Sequence, residues 1–227
     1  MSVRERLVHA LRGYLNPGRL ALLAIAVAVI IGAIVLVQVL GGSAEPGRII
    51  DAVRNERTQG LAVSASVGSL APTFEAQDLD GNLVRLSDFQ GQPVILNFWA
   101  TWCGSCEAEI PALQRVFQER EGEGLVVIGV DWGEGRVGAA RSFLDRLGAT
   151  YVSAMDPNSD IGDAYRVQGL PVTLAIDKDG VIMEMVGGEL TYRAFDQFAQ
   201  LALGETEEVG EDIAPVRDIT TQDDAGG

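Results

Sequence analysis

The chain has two cysteines and one histidine in 227 residues. A disulfide framework of the kind that staples small secreted domains takes more cysteines at scattered positions. A structural zinc site takes four Cys or His ligands, and the lone histidine, His9, lies ahead of a long apolar run, far from both cysteines. No Cys-x-x-Cys-His sequence offers a haem attachment point, so neither a metal nor another cofactor is expected. Positive charge is short too: 17 Lys and Arg stand against 32 Asp and Glu, a formal net charge of −15. The imbalance is uneven, with +3 over the first nineteen residues, −7 from Glu205 to Gly227 and −11 between them. Such a surface repels polyanions, and nucleic-acid binding is not expected. No internal repeat is visible.

What the chain does have, first, is a hydrophobic span. Leu20 to Leu40 is apolar except for Gly32 and Gln38, and a helix of about 21 residues rises roughly 30 Å, the thickness of a bilayer core. Arg4, Arg6, Arg12 and Arg19 precede it against Glu5, whereas the stretch after it mixes both signs. The positive-inside bias therefore predicts a single-pass cell-membrane protein with its N-terminus cytoplasmic and the rest extracytoplasmic. A cleaved signal peptide is the alternative, with Gly42-Ser43-Ala44 as small residues for a peptidase. Signal h-regions usually run about 7 to 15 residues, so length favours a retained anchor. No cysteine lies at or just after the span, so no lipid-modified cysteine is available.

These features divide the chain into a cytoplasmic N-terminus (1–19), a transmembrane helix (20–40), a juxtamembrane linker (41–67), an α/β domain (68–203) and an acidic, disordered tail (204–227). Within the linker, Arg48 to Gln59 predicts a short helix with Ile49, Ile50 and Val53 on one side. The domain opens with a hairpin, Thr73 to Ala76 and Leu83 to Leu86 around an Asp80-Gly81 turn. A strand Val94 to Trp99 and a helix to about Gln118 follow, then a strand Leu125 to Asp131 and a helix Val137 to Leu147. Beyond these come a strand Tyr151 to Ala154, a short helix Ile161 to Tyr165, a hairpin Val172 to Ile176 and Val181 to Val186, and a last helix Thr191 to Leu203.

The two cysteines stand three apart in Trp102-Cys103-Gly104-Ser105-Cys106, directly after an apolar strand. The simplest reading is one dithiol that opens and closes, with two inert core cysteines as the alternative. At the start of a helix, Cys103 meets unpaired backbone N–H groups and the positive end of the dipole, which favour its thiolate. A fall in pKa from about 8.5 to about 7 would raise the thiolate fraction at neutral pH about tenfold. Cys103 is thus the expected nucleophile and Cys106, one turn in, the resolving thiol. Gly104 and Ser105 shape the bend and the donors around the sulfurs. Trp102 reads as rim and Trp99 as core. Glu134 follows a central strand, where a solvated loop acid is the favoured reading over a functional one.

The segment Asn97-Phe98-Trp99-Ala100-Thr101-Trp102-Cys103-Gly104-Ser105-Cys106, then Glu109 and Pro111, and later Gly169-Leu170-Pro171-Val172-Thr173, resembles the membrane-anchored thiol-disulfide oxidoreductases of the TlpA and ResA type, AhpC/TSA-related members of the thioredoxin superfamily. The resemblance covers about residues 68 to 203. It implies a thioredoxin-like fold, a central mixed sheet flanked by helices with an N-terminal β-hairpin extension, preceded by one transmembrane helix. It also implies a cis Leu170-Pro171 bond packed against the cysteines, with Leu170 joining Trp102, Gly104 and Ser105 in a substrate groove, and a role for Glu109 in tuning the cysteines. An ordinary acid in an early helical turn is the other reading of Glu109.

The implied activity is reduction or exchange of disulfides in extracytoplasmic proteins, with apocytochrome c during cytochrome maturation as the leading substrate. Because the span has no cysteine, a membrane thiol donor of the CcdA or DsbD kind is the implied electron source. Two rivals stand. A peroxiredoxin-type thiol peroxidase is suggested by the run from Ala71-Pro72 to Leu86-Ser87-Asp88, though Thr101 stands two rather than three residues before Cys103. A non-enzymatic tethered binding module is the other, and it has no need of both cysteines and Pro171.

Overall fold

The computed structural model describes residues 17–40, 44–50, 52 and 54–206. The expected cytoplasmic segment over 1–16 and the acidic tail from 207 onward lie outside the described residues, as do 41–43, 51 and 53 of the linker. The chain divides into two units, Met1–Gly42 and Ser43–Gly227. Among the described residues of the first is the helix α1 (Pro17–Leu40). Its side chains are described at 18 and 21–33. Among the described residues no helix is long and apolar enough to cross a membrane.

The second unit is built outward from β4 (Val94–Trp99), whose six residues are all buried. A strand covered on both faces reads as a near-continuous apolar run, which is why Val-Ile-Leu-Asn-Phe-Trp forms one. On its two sides lie β5 (Val126–Trp132), parallel to it, and β7 (Val172–Ile176), antiparallel. With β6 (Val152–Asp156) and β8 (Ile182–Gly187) the sheet order is β6-β5-β4-β7-β8. The helices are α2 (Gly104–Arg120), α3 (Val137–Leu147), α4 (Asp160–Ala164) and α5 (Tyr192–Leu203).

Alternation along β4 divides the core. Ile95 and Trp99 pack with Cys106, Ile110, Phe143 and Phe195 of α2, α3 and α5. Leu96 and Phe98 pack on the other face with Phe74, Ile128, Tyr165 and Leu174. Asn97 shares the face of Ile95 and Trp99 by the period of two, which aims one polar side chain at α2. Gly129 of β5 lies beside Asn97 and beneath the Trp99 indole. A Cβ there would come 2.7 Å from Trp99 Nε1 and 2.9 Å from Ser153 Oγ.

A separate three-stranded antiparallel sheet comprises β1 (Arg48–Ile50), β2 (Thr73–Gln77) and β3 (Leu83–Arg85). An isolated bridge between Asp78 and Ala154 joins this hairpin to the edge of β6. The helix expected over Arg48 to Gln59 is not what forms. Ile49 and Ile50 pair with Phe74 and Thr73 on β2, and the Thr73 hydroxyl donates to the Ile50 carbonyl at 2.9 Å. β-Branched side chains suit that pleated edge. The Asn55 side chain accepts from the N–H groups of Arg57 and Thr58 at 2.9 and 3.0 Å, a local turn that competes with helix.

Candidate active site

Strand β4 ends at Trp99, and the next four residues turn the chain into α2. The Cys103 N–H donates to the Ala100 carbonyl at 3.1 Å, which closes that turn. Cys103 is then the N-cap of α2, and its sulfur accepts the Cys106 N–H at 3.1 Å, a role that a Ser or Asp side chain commonly fills. The two cysteines are joined as a disulfide. Cys103 is 6% exposed and Cys106 fully buried, so an approaching partner meets Cys103 first. Ser105 brings its hydroxyl to 3.8 Å from the Cys103 sulfur. Gly104 is exposed, with open space where a side chain would stand. Trp102 projects from the turn 64% exposed, while Trp99 is buried, stacked on Phe143 and donating its indole N–H to Ser153.

Glu109 falls one turn after Cys106 on the buried side of α2. Its Oε1 accepts from the Asn97 amide at 2.9 Å and its Oε2 from the Leu190 N–H at 2.8 Å. Burial raises its pKa from 4.5 to about 7; the two donors work against that rise and the neighbouring Glu189 charge adds to it. Glu109 can therefore hold or release a proton near neutrality, which an acid in an exposed helical turn does not do. Asn97 also donates to Thr173 Oγ1 at 3.0 Å. Thr173 lies two residues beyond Pro171 on β7, and the Leu170-Pro171 peptide bond is cis. Asn97 thus bridges the cysteine helix and the strand that follows Pro171. Leu170 is half-buried against both halves of the core.

Glu134 is not the solvated loop acid that its position suggests. It is buried, and it accepts the Thr101 N–H at 2.6 Å and the Thr101 hydroxyl at 2.8 Å. Two donors from one residue make up for the water it gives up. Asn97 is the participant to which motif reading assigns no role; a single polar residue inside an otherwise apolar strand was the available signal for it. Among the described residues no group of His, Cys, Asp and Glu is arranged to hold a metal ion.

A capping sulfur at a helix N-terminus, a second thiol one turn inside and a buried acid near its midpoint of titration can carry out thiol-disulfide exchange. Residues 67–185 match the family model described as AhpC/TSA family. The chain is 37% identical over 128 residues to the thiol-disulfide oxidoreductase ResA of Geobacillus kaustophilus, covering 56% of this chain and 73% of that one. It is 33% identical over 138 residues to ResA of Bacillus subtilis, covering 61% and 76%. Among solved structures, a Chlorobium tepidum protein described as a thiol:disulfide interchange protein DsbE superposes with a TM-score of 0.58 at 30% identity, over 63% of this chain and all of that one. The chain belongs to the AhpC/TSA family, and it is a thiol-disulfide oxidoreductase of thioredoxin-like fold.

Proposed function

We propose that the chain is a membrane-anchored reductant of disulfides in extracytoplasmic proteins, apocytochrome c before haem attachment being the leading substrate. The observation that carries the reading is the Cys103 sulfur accepting the Cys106 N–H at the head of α2, with Cys106 buried behind it. In the reduced chain that site favours a Cys103 thiolate. The thiolate attacks one sulfur of the substrate disulfide; a mixed disulfide forms and the other substrate sulfur leaves as thiolate. Cys106 then gives up its proton, with Glu109 as the adjacent acceptor, and attacks the Cys103 sulfur. The second substrate thiol is released and the Cys103–Cys106 disulfide remains. Two electrons and two protons from a membrane thiol donor of the CcdA or DsbD kind restore the dithiol.

The anchor reading rests on the apolar run from Leu20 to Leu40 in the sequence. The described large side chains of this run, among them Leu22, Ile25 and Val27, are 68%, 61% and 52% exposed and point to different sides of the helix. Each would gain about 1.5–3 kcal/mol on leaving water. The Arg-rich start of the chain supports a cytoplasmic N-terminus. A mature protein beginning at Glu45 would replace the anchor with a cleaved signal.

Insulin-disulfide reduction by the full chain, compared with Cys103→Ser, tests the catalytic reading: the variant should be inactive, and equal activity would end the proposal. A Cys106→Ser chain should retain its physiological substrate as a mixed disulfide, and capture of no apocytochrome would remove that substrate.

A further inference from the structure

A second buried carboxyl shares the face of the sheet on which the cysteines pack. Asp131 of β5 registers beside Trp99 on β4 and Met155 on β6, neither of them charged. It is fully buried, and no N–H or hydroxyl donor meets either of its carboxyl oxygens; its hydrogen-bond neighbour is the Glu134 carboxyl, and two carboxyls bond only when one of them holds a proton. Three residues later Glu134 has both oxygens occupied by Thr101, with Arg136 at 3.7 Å. Thr101 belongs to the turn that delivers Cys103 to the head of α2. Glu134 therefore holds the turn two residues before the attacking sulfur, and the buried Asp131 lies close behind that clasp.

The groups that bear on Asp131 are Glu134 and Asp156, both acids, and Arg136, the one cation that offsets them. A carboxylate buried without a donor and flanked by two others is unfavourable, so the group keeps its proton. Burial first, and Glu134 next, push Asp131 from 3.8 up to about 8.

We propose that Asp131 is a positioning residue of the redox site: as a neutral acid it leaves Glu134 bonded to Thr101, and on losing its proton it places a buried negative charge behind the turn that carries Cys103. That charge disfavours the Cys103 thiolate and so favours the disulfide over the dithiol. The pair becomes harder to reduce in alkali than its own thiols dictate. The inference rests on Cys103 and Cys106 cycling as a dithiol.

The test is the equilibrium of the full chain with glutathione from pH 6 to 9.5, for the wild type and Asp131→Asn. Asparagine keeps the shape and neutrality of the protonated acid. At pH 6.5 the two chains should agree within about twofold, and at pH 9 the variant should favour the dithiol by about three- to tenfold, as expected for one partly screened charge. The same ratio at both pH values, including no difference at all, overturns the proposal. Should the variant fail to fold, the carbon-13 carboxyl resonance of Asp131 in the wild type decides: an alkaline titration that differs between oxidised and reduced chains supports it, and an ordinary or redox-independent titration overturns it. A pair that no glutathione poise reduces would instead sink the dithiol reading itself.

Discussion

Replacing Glu109 by Gln should make the chain's stability less dependent on pH, and the sign of the effect should reverse within the accessible range. The wild-type carboxyl moves from 4.5 in the unfolded chain to about 7 in the fold, mainly through burial. At about 1.4 kcal/mol for each pH unit, that displacement amounts to about 3 kcal/mol. Because the folded value is the higher one, the native state holds the proton more tightly. Its stability is full below about pH 4.5, falls as pH rises to about 7, and is level above.

Glutamine has no such slope, but it must fit a site with two donors, the Asn97 amide and the Leu190 N–H. Its carbonyl can keep Leu190. Its amide then faces Asn97, whose Oδ1 is buried without a partner. A flip of Asn97 turns that oxygen toward the introduced amide, and the Thr173 hydroxyl, able to donate as well as accept, keeps its bond. The remaining cost is about 1 kcal/mol for the one buried polar atom still without a partner. Glu109→Gln should thus be about 1 kcal/mol less stable than wild type near pH 4.5 and about 2 kcal/mol more stable near pH 8. Urea unfolding of the disulfide-intact chain across that range measures both. Parallel stability curves would refute the buried-acid argument. A disulfide-exchange rate that kept its full rise through pH 7 in the variant would remove Glu109 from proton transfer.

Three further outcomes follow from the same geometry. Trp102→Ala should leave urea stability within about 0.5 kcal/mol, as for other exposed positions, yet slow reduction of protein disulfides more than of small ones; equal slowing would place Trp102 outside the partner surface. Gly129→Ala puts a methyl group 2.7 Å from Trp99 Nε1 and should cost about 1–3 kcal/mol by overpacking, measured by thermal or urea unfolding. Hydrogen peroxide turnover by the reduced chain should be slow, because the Thr101 hydroxyl is bound to Glu134 and not directed at the Cys103 sulfur; fast turnover in a stopped-flow assay would restore the peroxidase reading.

The pieces that sequence alone could place are those carried by short-range order. Val94 to Trp99 announces a doubly covered strand, the Asp80-Gly81 pair a hairpin, and the cysteine spacing a helix N-terminus, because each signal lies within one element. Boundaries for α3 and β7 coincide with the periodicity for the same reason. β1 was not legible, since Ile49 and Ile50 suit a helix or an edge strand equally until β2 offers its open backbone.

The chemistry of the site divides along the same line. Composition and spacing alone determined that this chain has one dithiol, no metal-ligating set around it, and an apolar segment ahead of it. Only the tertiary structure decided what surrounds the sulfurs. Glu109 meets Asn97 across 12 residues and Leu190 across 81, Glu134 reaches Thr101 across 33, and Asn97 reaches Thr173 across 76. Whether an acid is solvated or buried, and so whether it titrates near 4 or near 7, depends on which distant groups displace its water. No local pattern records that, because desolvation belongs to the packed volume and not to the residue.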